Sequence, residues 1–315
     1  MDFTDILRER KTHTSTKNKR PISEVSIKTY DSCLRNIYKR LWPEDTEFNA
    51  DRFKEIDKVM EYLQTLTVGS RKQKLCALIA IEPAEEYKKQ ILIDSAEHSK
   101  IIKKAELTEK LEESAITDED VAKARESLKF VADASMKRIK ALRENIAMPD
   151  LMAVQNWVLF NLFFAEGMVP RRSMDYYEMK VRNYNRETDN YYDAKTGDLV
   201  FNKYKTAFAH GTQQLKAPKE LKALLKKWIA LIPDNVDYML FNQFFQPLTS
   251  VSMTQRWNYI FGGRKSINSI RHYFLTSRYK ETVEQEMKME ADMAAMGGDI
   301  AQVRYYVKVN PKPSA

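Results

Sequence analysis

The sequence predicts a mainly α-helical protein with a small antiparallel β-sheet, divided into two domains. Glycine is scarce, at 8 of 315 residues, and glutamate, lysine, leucine, methionine and alanine are plentiful, a composition that favours helices. Apolar residues recur at intervals of three and four over most of the chain, and only one stretch, residues 190–215, reads as strands. With 43% hydrophobic residues, the chain can bury two cores.

Charge and composition narrow the classes of function. The net charge of +8 indicates a polyanionic partner, nucleic acid before an acidic membrane surface, with a merely soluble basic protein as the alternative. The absence of a long apolar run or signal peptide leads us to expect a soluble intracellular protein. Cys33 and Cys76 are expected to be buried thiols, and the histidines are scattered, so we expect no metal site and no cofactor.

Residues 1–22 are predicted to form a basic, flexible N-terminal arm. Between Arg8 and Arg20 there are six lysines and arginines against one glutamate. Such a run is typical of a solvated, disordered segment. On a DNA-binding protein it would instead lie along phosphates. The sequence leaves both interpretations open.

A first helical domain is predicted from residue 23 to about residue 115. Its helices run from Ser23 to Leu41, from Asp51 to Leu66, and onward from Ser70 as N-cap. Cations in the first turn of that third helix oppose the helix dipole, which favours a phosphate bound there. These cations, which we assign to DNA binding, are Arg71, Lys72 and Lys74.

A second domain is predicted from about residue 116 to residue 315. Thr117 is a good N-cap for its first helix, and the apolar run 151–164 is predicted to be its central helix. Arg171 and Arg172 follow that buried helix, where arginines need an anionic partner. The partner is expected to be either Asp175 or a phosphate.

The β signal follows these arginines. Residues 190–193 and 199–206 flank a turn at Gly197, and residues 212–215 are a candidate third strand. Lys203 and Lys205 lie on either side of one residue, so they share one face of the predicted strand. The alternative is that these lysines only keep an edge strand soluble. Further helices are predicted at 218–232, 250–260 and 266–278.

The last of these helices carries the sharpest functional signal. Arg271 lies on an apolar-periodic helix, and Tyr306 follows in a basic, apolar setting. This pairing makes sense if Arg271 holds a phosphate that Tyr306 attacks. Arg264 and Lys265, which precede the helix, are assigned to DNA binding.

On these residues, most of the chain resembles the tyrosine recombinase (phage-integrase-type) family, in particular divergent integrases of large DNA viruses and mobile elements. The family's Arg-x-x-(Glu/Asp) motif matches the segment from Arg172 to Asp175, whereas Arg171 breaks the spacing. The resemblance implies that residues 23–115 form the helical core-binding domain and residues 116–315 the catalytic domain. It also places the family's hairpin lysine at Lys205, with Lys203 second.

Two residues depart from the family pattern. The His-x-x-Arg-His box has Asn268 in place of its first histidine, and the Gly-His motif has Gly298 in place of its histidine. An asparagine still hydrogen-bonds a phosphate oxygen, but Gly298 offers only its backbone N–H. Tyr306 is preferred to Tyr305 as nucleophile because the residues after it match the family's ending better.

The resemblance implies a site-specific recombinase or integrase that works through a 3′-phosphotyrosine intermediate, with neither metal nor ATP. Its catalytic residues are then Arg172, Lys205, Asn268, Arg271 and Tyr306. Its partner is double-stranded DNA, bound as a homo-tetramer on paired sites, in a prokaryotic cytoplasm or a eukaryotic nucleus or viral factory. The alternatives are a catalytically impaired DNA-binding relative, favoured by Gly298, and an enzyme like the type IB topoisomerases.

Overall fold

The computed structural model describes residues 3–9, 22–105, 115–142, 146–263 and 265–295. The chain divides into two compact units, Met1–Glu109 and Lys110–Ala315. Within the described ranges the fold is mainly helical with a three-stranded antiparallel sheet, which confirms the predicted fold class. None of the helices in these ranges is both long and apolar enough to span a membrane.

The first unit is helical and is built around aromatic side chains. The ring of Tyr38 lies 5.1 Å from that of Phe48 and 6.0 Å from that of Phe53. Its hydroxyl donates to Asp45 Oδ2 at 2.6 Å, so its polar end is satisfied at the edge of this core. The elements are α1 (Phe3–Glu9), α2 (Glu24–Leu41), a 3-10 helix (Ala50–Lys54), α3 (Ile56–Gln64), α4 (Val68–Ile81) and α5 (Glu85–Ala105).

The start of the chain differs from the predicted arm. Phe3 and Leu7 of α1 are fully buried in the core of the first unit. Residues four apart share one face of a helix, so Phe3 and Leu7 give this otherwise polar segment one apolar face. The predicted arm was based on the charge of the segment, which does not show this face. Of the basic stretch, residues 10–21 lie outside the described residues, so a flexible arm there stays a prediction.

Two helix boundaries in this unit also differ from prediction. The helix expected from Asp51 to Leu66 is two elements, because the 3-10 helix ends at Lys54 and α3 begins at Ile56. The next helix, α4, is capped by Thr67 and not by Ser70. Thr67 Oγ1 accepts a hydrogen bond from the Ser70 backbone N–H at 3.4 Å. Ser70 therefore lies inside the helix.

The second unit is organised around α7, which is the predicted central helix. Three consecutive residues, Val158, Leu159 and Phe160, are fully buried, so α7 is covered on every side. Thr117 caps α6 as predicted, since its Oγ1 accepts from the Asp120 N–H at 3.1 Å. The helices are α6 (Asp118–Leu142), α7 (Met148–Phe164), a 3-10 helix (Ser173–Asp175), α8 (Ala207–His210), α9 (Lys219–Ile229), α10 (Ser250–Phe261) and α11 (Ile267–Ala295).

The sheet has the strand order β1-β2-β3, with both neighbouring pairs antiparallel. The turn between the first two strands contains Gly197 at a φ of +82°, a conformation that glycine adopts without strain. The predicted third strand is confirmed. The second strand is shorter than predicted, because it ends at Phe201, and Lys203 and Lys205 lie in the connection that follows it. The strands are β1 (Tyr191–Asp193), β2 (Asp198–Phe201) and β3 (Gln213–Lys216).

Candidate active site

The turn after α7 places two arginines beside a buried carboxylate. The helix ends where Ala165 becomes extended, and Gly167 then takes a φ of +82°. The chain passes through Arg171 and Arg172 into the 3-10 helix that ends at Asp175. The Asp175 residue is only 3% exposed. A carboxylate this buried requires a cationic partner.

Arg171 is that partner. Its Nε donates to Asp175 Oδ2 at 2.8 Å, and its Nη1 donates to Gln213 Oε1 at 2.5 Å. Its guanidinium also lies 4.0 Å from the ring centroid of Phe201 and 4.9 Å from that of Tyr204. Two of the three guanidinium nitrogens and the flat face of Arg171 are therefore engaged within the protein.

Arg172 differs from its neighbour. Its side chain is half-buried and makes no hydrogen bond or ion pair with any residue that the structure describes. A half-buried guanidinium without a protein partner is suited to receive an external anion. The assignment of Arg172, and not Arg171, as the phosphate-binding arginine stays a prediction, and this geometry is compatible with it.

Arg271, from the start of α11, is near enough to the same carboxylate for its charge to act on it, without a hydrogen bond or ion pair between the two. Burial raises the pKa of the Asp175 carboxyl, and the positive charges of Arg171, Arg172 and Arg271 oppose that rise. Charged side chains act on a carboxyl in this way from nearby positions. Two arginines from distant parts of the sequence, Arg172 and Arg271, therefore both act electrostatically on Asp175.

The predicted lysines lie in the connection between β2 and β3. Lys203 Nζ is 2.8 Å from Glu178 Oε2, in an exposed ion pair. Lys205 is exposed and has no side-chain partner among the described residues. The residue between them, Tyr204, is buried, and its hydroxyl donates to the Gly211 carbonyl at 2.7 Å. Of the two lysines, Lys205 is the one whose ammonium group is unengaged.

Along α11, Asn268 and His272 belong to different surroundings. Asn268 is exposed and lies three residues before Arg271, which places the two on neighbouring positions of one helix face. His272 lines a groove of about 530 Å³ together with residues 115–118 and Tyr273. Asn268 is therefore the better placed of the two to act beside Arg271.

Two tyrosines of this region, Tyr273 and Tyr176, are not poised as nucleophiles. Tyr273 donates to Asp118 Oδ1 at 2.6 Å, and burial together with this bond raises its pKa to about 12. Burial also raises the pKa of Tyr176. Both side chains therefore stay phenols at neutral pH. The predicted nucleophile Tyr306, its alternative Tyr305, and Gly298 lie outside the described residues.

The fold is similar to solved recombinase structures. Two are XerH site-specific recombinase bound to difH substrate, one described as a post-cleavage complex on palindromic difH and one as a pre-cleavage complex. The first is 16% identical with a TM-score of 0.43, over 82% of this chain and 69% of that one. The second is 17% identical with a TM-score of 0.43, over 82% and 70%. A third, XerA recombinase, is 10% identical with a TM-score of 0.32, over 88% and 84%.

We draw no functional conclusion from similarity at this level. No protein-family model matches the chain, and no curated protein sequence matches it. Among the residues that the structure describes, no group of three histidine, cysteine, aspartate or glutamate side chains is arranged to hold a metal ion. The proposed function therefore rests on the site residues themselves.

In the first unit, the prediction that Arg71 binds DNA is corrected. Its Nε and Nη2 donate to Asp94 at 2.8 Å each, and its Nη1 donates to the Leu66 carbonyl at 3.3 Å. Arg71 and Asp94 are both buried. The guanidinium thus joins α4 to α5 and has no donor face left for a phosphate.

The other predicted DNA-binding cations have different surroundings. Lys72 is half-exposed, and Lys74 Nζ donates to Asn36 Oδ1 at 2.7 Å on the exposed surface between α4 and α2. Lys265 donates from Nζ to the Ala115 carbonyl, so it helps to hold the segment before α6. Arg264 lies outside the described residues. Of these residues, Lys72 is therefore the clearest candidate for a phosphate contact.

Sequence reasoning missed Asn190, which links two parts of the site. Its Nδ2 donates to the carbonyl oxygens of Asp175 at 2.8 Å and Lys203 at 2.7 Å. Its Oδ1 accepts from the backbone N–H groups of Asn202 at 2.9 Å and Lys203 at 2.7 Å. A single asparagine at the start of a strand has no sequence signature for such a role, because its partners are distant backbone atoms.

Proposed function

We propose that this chain is a site-specific DNA recombinase that cleaves and rejoins DNA through a 3′-phosphotyrosine intermediate. The observation that carries the proposal is that the turn after α7 and the start of α11 meet, since residues 163–168 and Ile270 line one pocket, and that the positive charges of Arg172 and Arg271 both act on Asp175. Arg171 already neutralises that carboxylate, so two positive charges remain for an anion. A phosphodiester has two nonbridging oxygens on which charge increases during attack, and paired guanidiniums are suited to hold them.

Each further residue has one chemical task. The Tyr306 oxygen attacks phosphorus, the bond from phosphorus to the 5′ oxygen breaks, and the tyrosine proton passes to solvent. Lys205 gives a proton to the departing 5′ oxygen. Asn268 donates a hydrogen bond to a phosphate oxygen from the helix face of Arg271. The phosphotyrosine link retains the energy of the original bond, so religation needs neither ATP nor a metal ion.

The proposed partner is double-stranded DNA. The net charge of +8 favours a polyanion, and Lys72 supplies a half-exposed cation on the first unit. Strand exchange between two duplexes would use a homo-tetramer on paired sites. A type IB topoisomerase would carry out the same cleavage as a monomer. The appearance of a tetramer only when two sites are present distinguishes the recombinase from the topoisomerase.

A second candidate is a DNA-binding protein that has lost catalysis. It is favoured by one specific observation, the presence of Gly298 where the family has a histidine. No histidine occurs after His272, so none can replace it. Loss of a group that moves a proton or stabilises charge slows such reactions by about 10²–10⁴-fold.

The test is covalent capture on DNA. A pool of nicked duplexes with a random central sequence is incubated with the wild type, Tyr306→Phe and Tyr305→Phe, and covalent products are separated under denaturing conditions. We expect a protein–DNA band with the wild type and Tyr305→Phe that is absent with Tyr306→Phe. Binding to the pool without any covalent band would instead support the catalytically inactive binder.

A further inference from the structure

The connection that carries Lys205 is tied to the arginine turn at two points. At the first, Asn190 joins both segments through backbone atoms. One donor bond goes to the Asp175 carbonyl, and its other three bonds go to Asn202 and Lys203. Asn190 is 6% exposed, and its amide has both of its donor hydrogens and its acceptor oxygen in use. A fully bonded buried amide fixes both segments relative to each other.

At the second point, Arg171 joins the same two segments through side chains. It is bound to Asp175 on the arginine turn, and its guanidinium covers the ring of Tyr204. Tyr204 is the residue immediately before Lys205, and its hydroxyl is held by the Gly211 carbonyl. The connection is therefore fixed on both sides of Lys203, and Lys205 follows directly.

We propose that Asn190 and Arg171 are positioning residues that set the place of Lys205 relative to Arg172. This inference rests on the proposed function, because it assigns Lys205 as the acid that protonates the leaving 5′ oxygen. Neither positioning residue is assigned a contact with the DNA. The effect of Asn190 on the reaction should therefore pass through proton transfer to the leaving group and not through stabilisation of the phosphate. Arg171 also pairs with Asp175, so its removal should affect both steps.

A sulfur-substituted substrate isolates that step. Replacing the bridging 5′ oxygen by sulfur gives a thiolate leaving group, whose conjugate acid has a pKa of about 8.5, so it departs without a proton. On the oxygen substrate, Lys205→Ala should cleave about 10²-fold more slowly than the wild type. On the sulfur substrate, it should cleave within about 3-fold of the wild type, since no acid is needed.

Asn190→Ala should behave as Lys205→Ala does. We expect a loss of about 10-fold on the oxygen substrate and near-complete recovery on the sulfur substrate. Arg171→Met should lose activity on both substrates, because Asp175 without its partner competes with the phosphate for Arg172, but the loss should be larger on the oxygen substrate. Arg172→Ala should lose activity on both substrates, since its task is to hold the phosphate.

The matched control is Arg186→Met, another arginine that pairs with a carboxylate of the sheet. Its side chain is 67% exposed, and it lies 3.5 Å from Asp193. It should cleave both substrates like the wild type. Equal losses of Asn190→Ala on both substrates would overturn the proposal, as would full activity of both Asn190→Ala and Arg171→Met on the oxygen substrate. If the wild type forms no covalent product on either substrate, the proposed function fails, and this inference fails with it.

Trypsin gives a readout that does not depend on catalysis. If Asn190 and Arg171 fix the connection, cleavage after Lys205 should be at least about 10-fold faster in either variant than in the wild type or Arg186→Met, because local opening exposes the backbone. Unchanged cleavage at this position in both variants would show that the connection is held in another way, even if DNA cleavage is detected.

Discussion

Arg171 Nε donates to Asp175 Oδ2 at 2.8 Å, and this pair gives two adjacent arginines different tasks. Arg171 neutralises a buried carboxylate, and its guanidinium stacks on the ring of Phe201 in the sheet. Arg172, with no such partner among the described residues, stays available for an external anion. Because Asp175 is already compensated, an incoming phosphate would meet two guanidiniums and not a net neutral cluster.

The buried pair of Arg71 and Asp94 should matter for stability. Arg71→Met leaves the Asp94 carboxylate buried without its partner, and breaking such a pair destabilises a fold by about 3–5 kcal/mol. The change is measured by urea denaturation followed through hydrogen exchange of α4 and α5. Lys88→Ala is the control, since it removes an exposed ion pair with Glu85 and should change stability by less than about 1 kcal/mol. An Arg71→Met protein as stable as the wild type would contradict the role of this pair.

The same pair predicts a pH dependence. Burial raises the pKa of Asp94, but bonds from Arg71 and Gln90 outweigh burial, so the pKa is lowered overall. A carboxyl with a lowered pKa in the folded state contributes stability above its unfolded pKa of about 3.9 and loses it as pH falls further. The difference in unfolding free energy between the wild type and Asp94→Asn should therefore shrink between about pH 5 and pH 2. A difference that is constant over this range would contradict the prediction.

The N-terminal helix should be part of the fold of the first unit. Phe3 is fully buried, with its ring 5.6 Å from that of Phe53. Phe3→Ala should lower the free energy of unfolding by about 3–5 kcal/mol, because it leaves a cavity in an aromatic core. Val25→Ala is the matched control at an exposed position of α2, and thermal denaturation reports both variants. A small effect of Phe3→Ala, equal to that of Val25→Ala, would mean that α1 does not stabilise the core.

Lys72 should contribute to DNA affinity through phosphate contact alone. Each phosphate contact adds about 0.9 to the slope of log affinity against log salt concentration. Lys72→Ala should reduce that slope by about this amount on a duplex of any sequence. Binding is measured by fluorescence anisotropy at several salt concentrations, with Lys88→Ala as the control on the same unit. An unchanged slope would show that Lys72 makes no contact with a DNA phosphate.

Much of the architecture follows from the sequence because it depends on local patterns. Periodic apolar residues predicted α2, a continuous apolar run predicted α7, and the Gly197 turn with its flanking residues predicted the hairpin. The boundary of α4 was missed because Thr67 and Ser70 are both good capping residues, and only the backbone geometry selects Thr67. The burial of α1 was missed because two apolar residues in a charged segment give no clear period.

The candidate site could be predicted only in part, because its contacts join residues that are distant in the sequence. Arg172 and Arg271 could be singled out by motif, but the effect of both charges on Asp175 is a property of the folded chain. Arg71 was misassigned because a cation in the early part of a helix gives the same sequence pattern whether it binds a phosphate or a buried carboxylate. Asn190 acts through distant backbone atoms, which leave no mark in the sequence around it.

The central claim is that Arg172 and Arg271 stabilise charge on one scissile phosphate. It is tested most directly with a duplex, selected by covalent capture, in which a methyl group replaces one nonbridging oxygen of that phosphate. On the normal duplex, Arg172→Ala and Arg271→Ala should each cleave about 10²–10³-fold more slowly than the wild type. On the uncharged methylphosphonate, at least one of them should match the wild type within about 10-fold, because the charge it stabilises is gone. Equal impairment of both variants on both duplexes, or wild-type rates on the normal one, would contradict the claim.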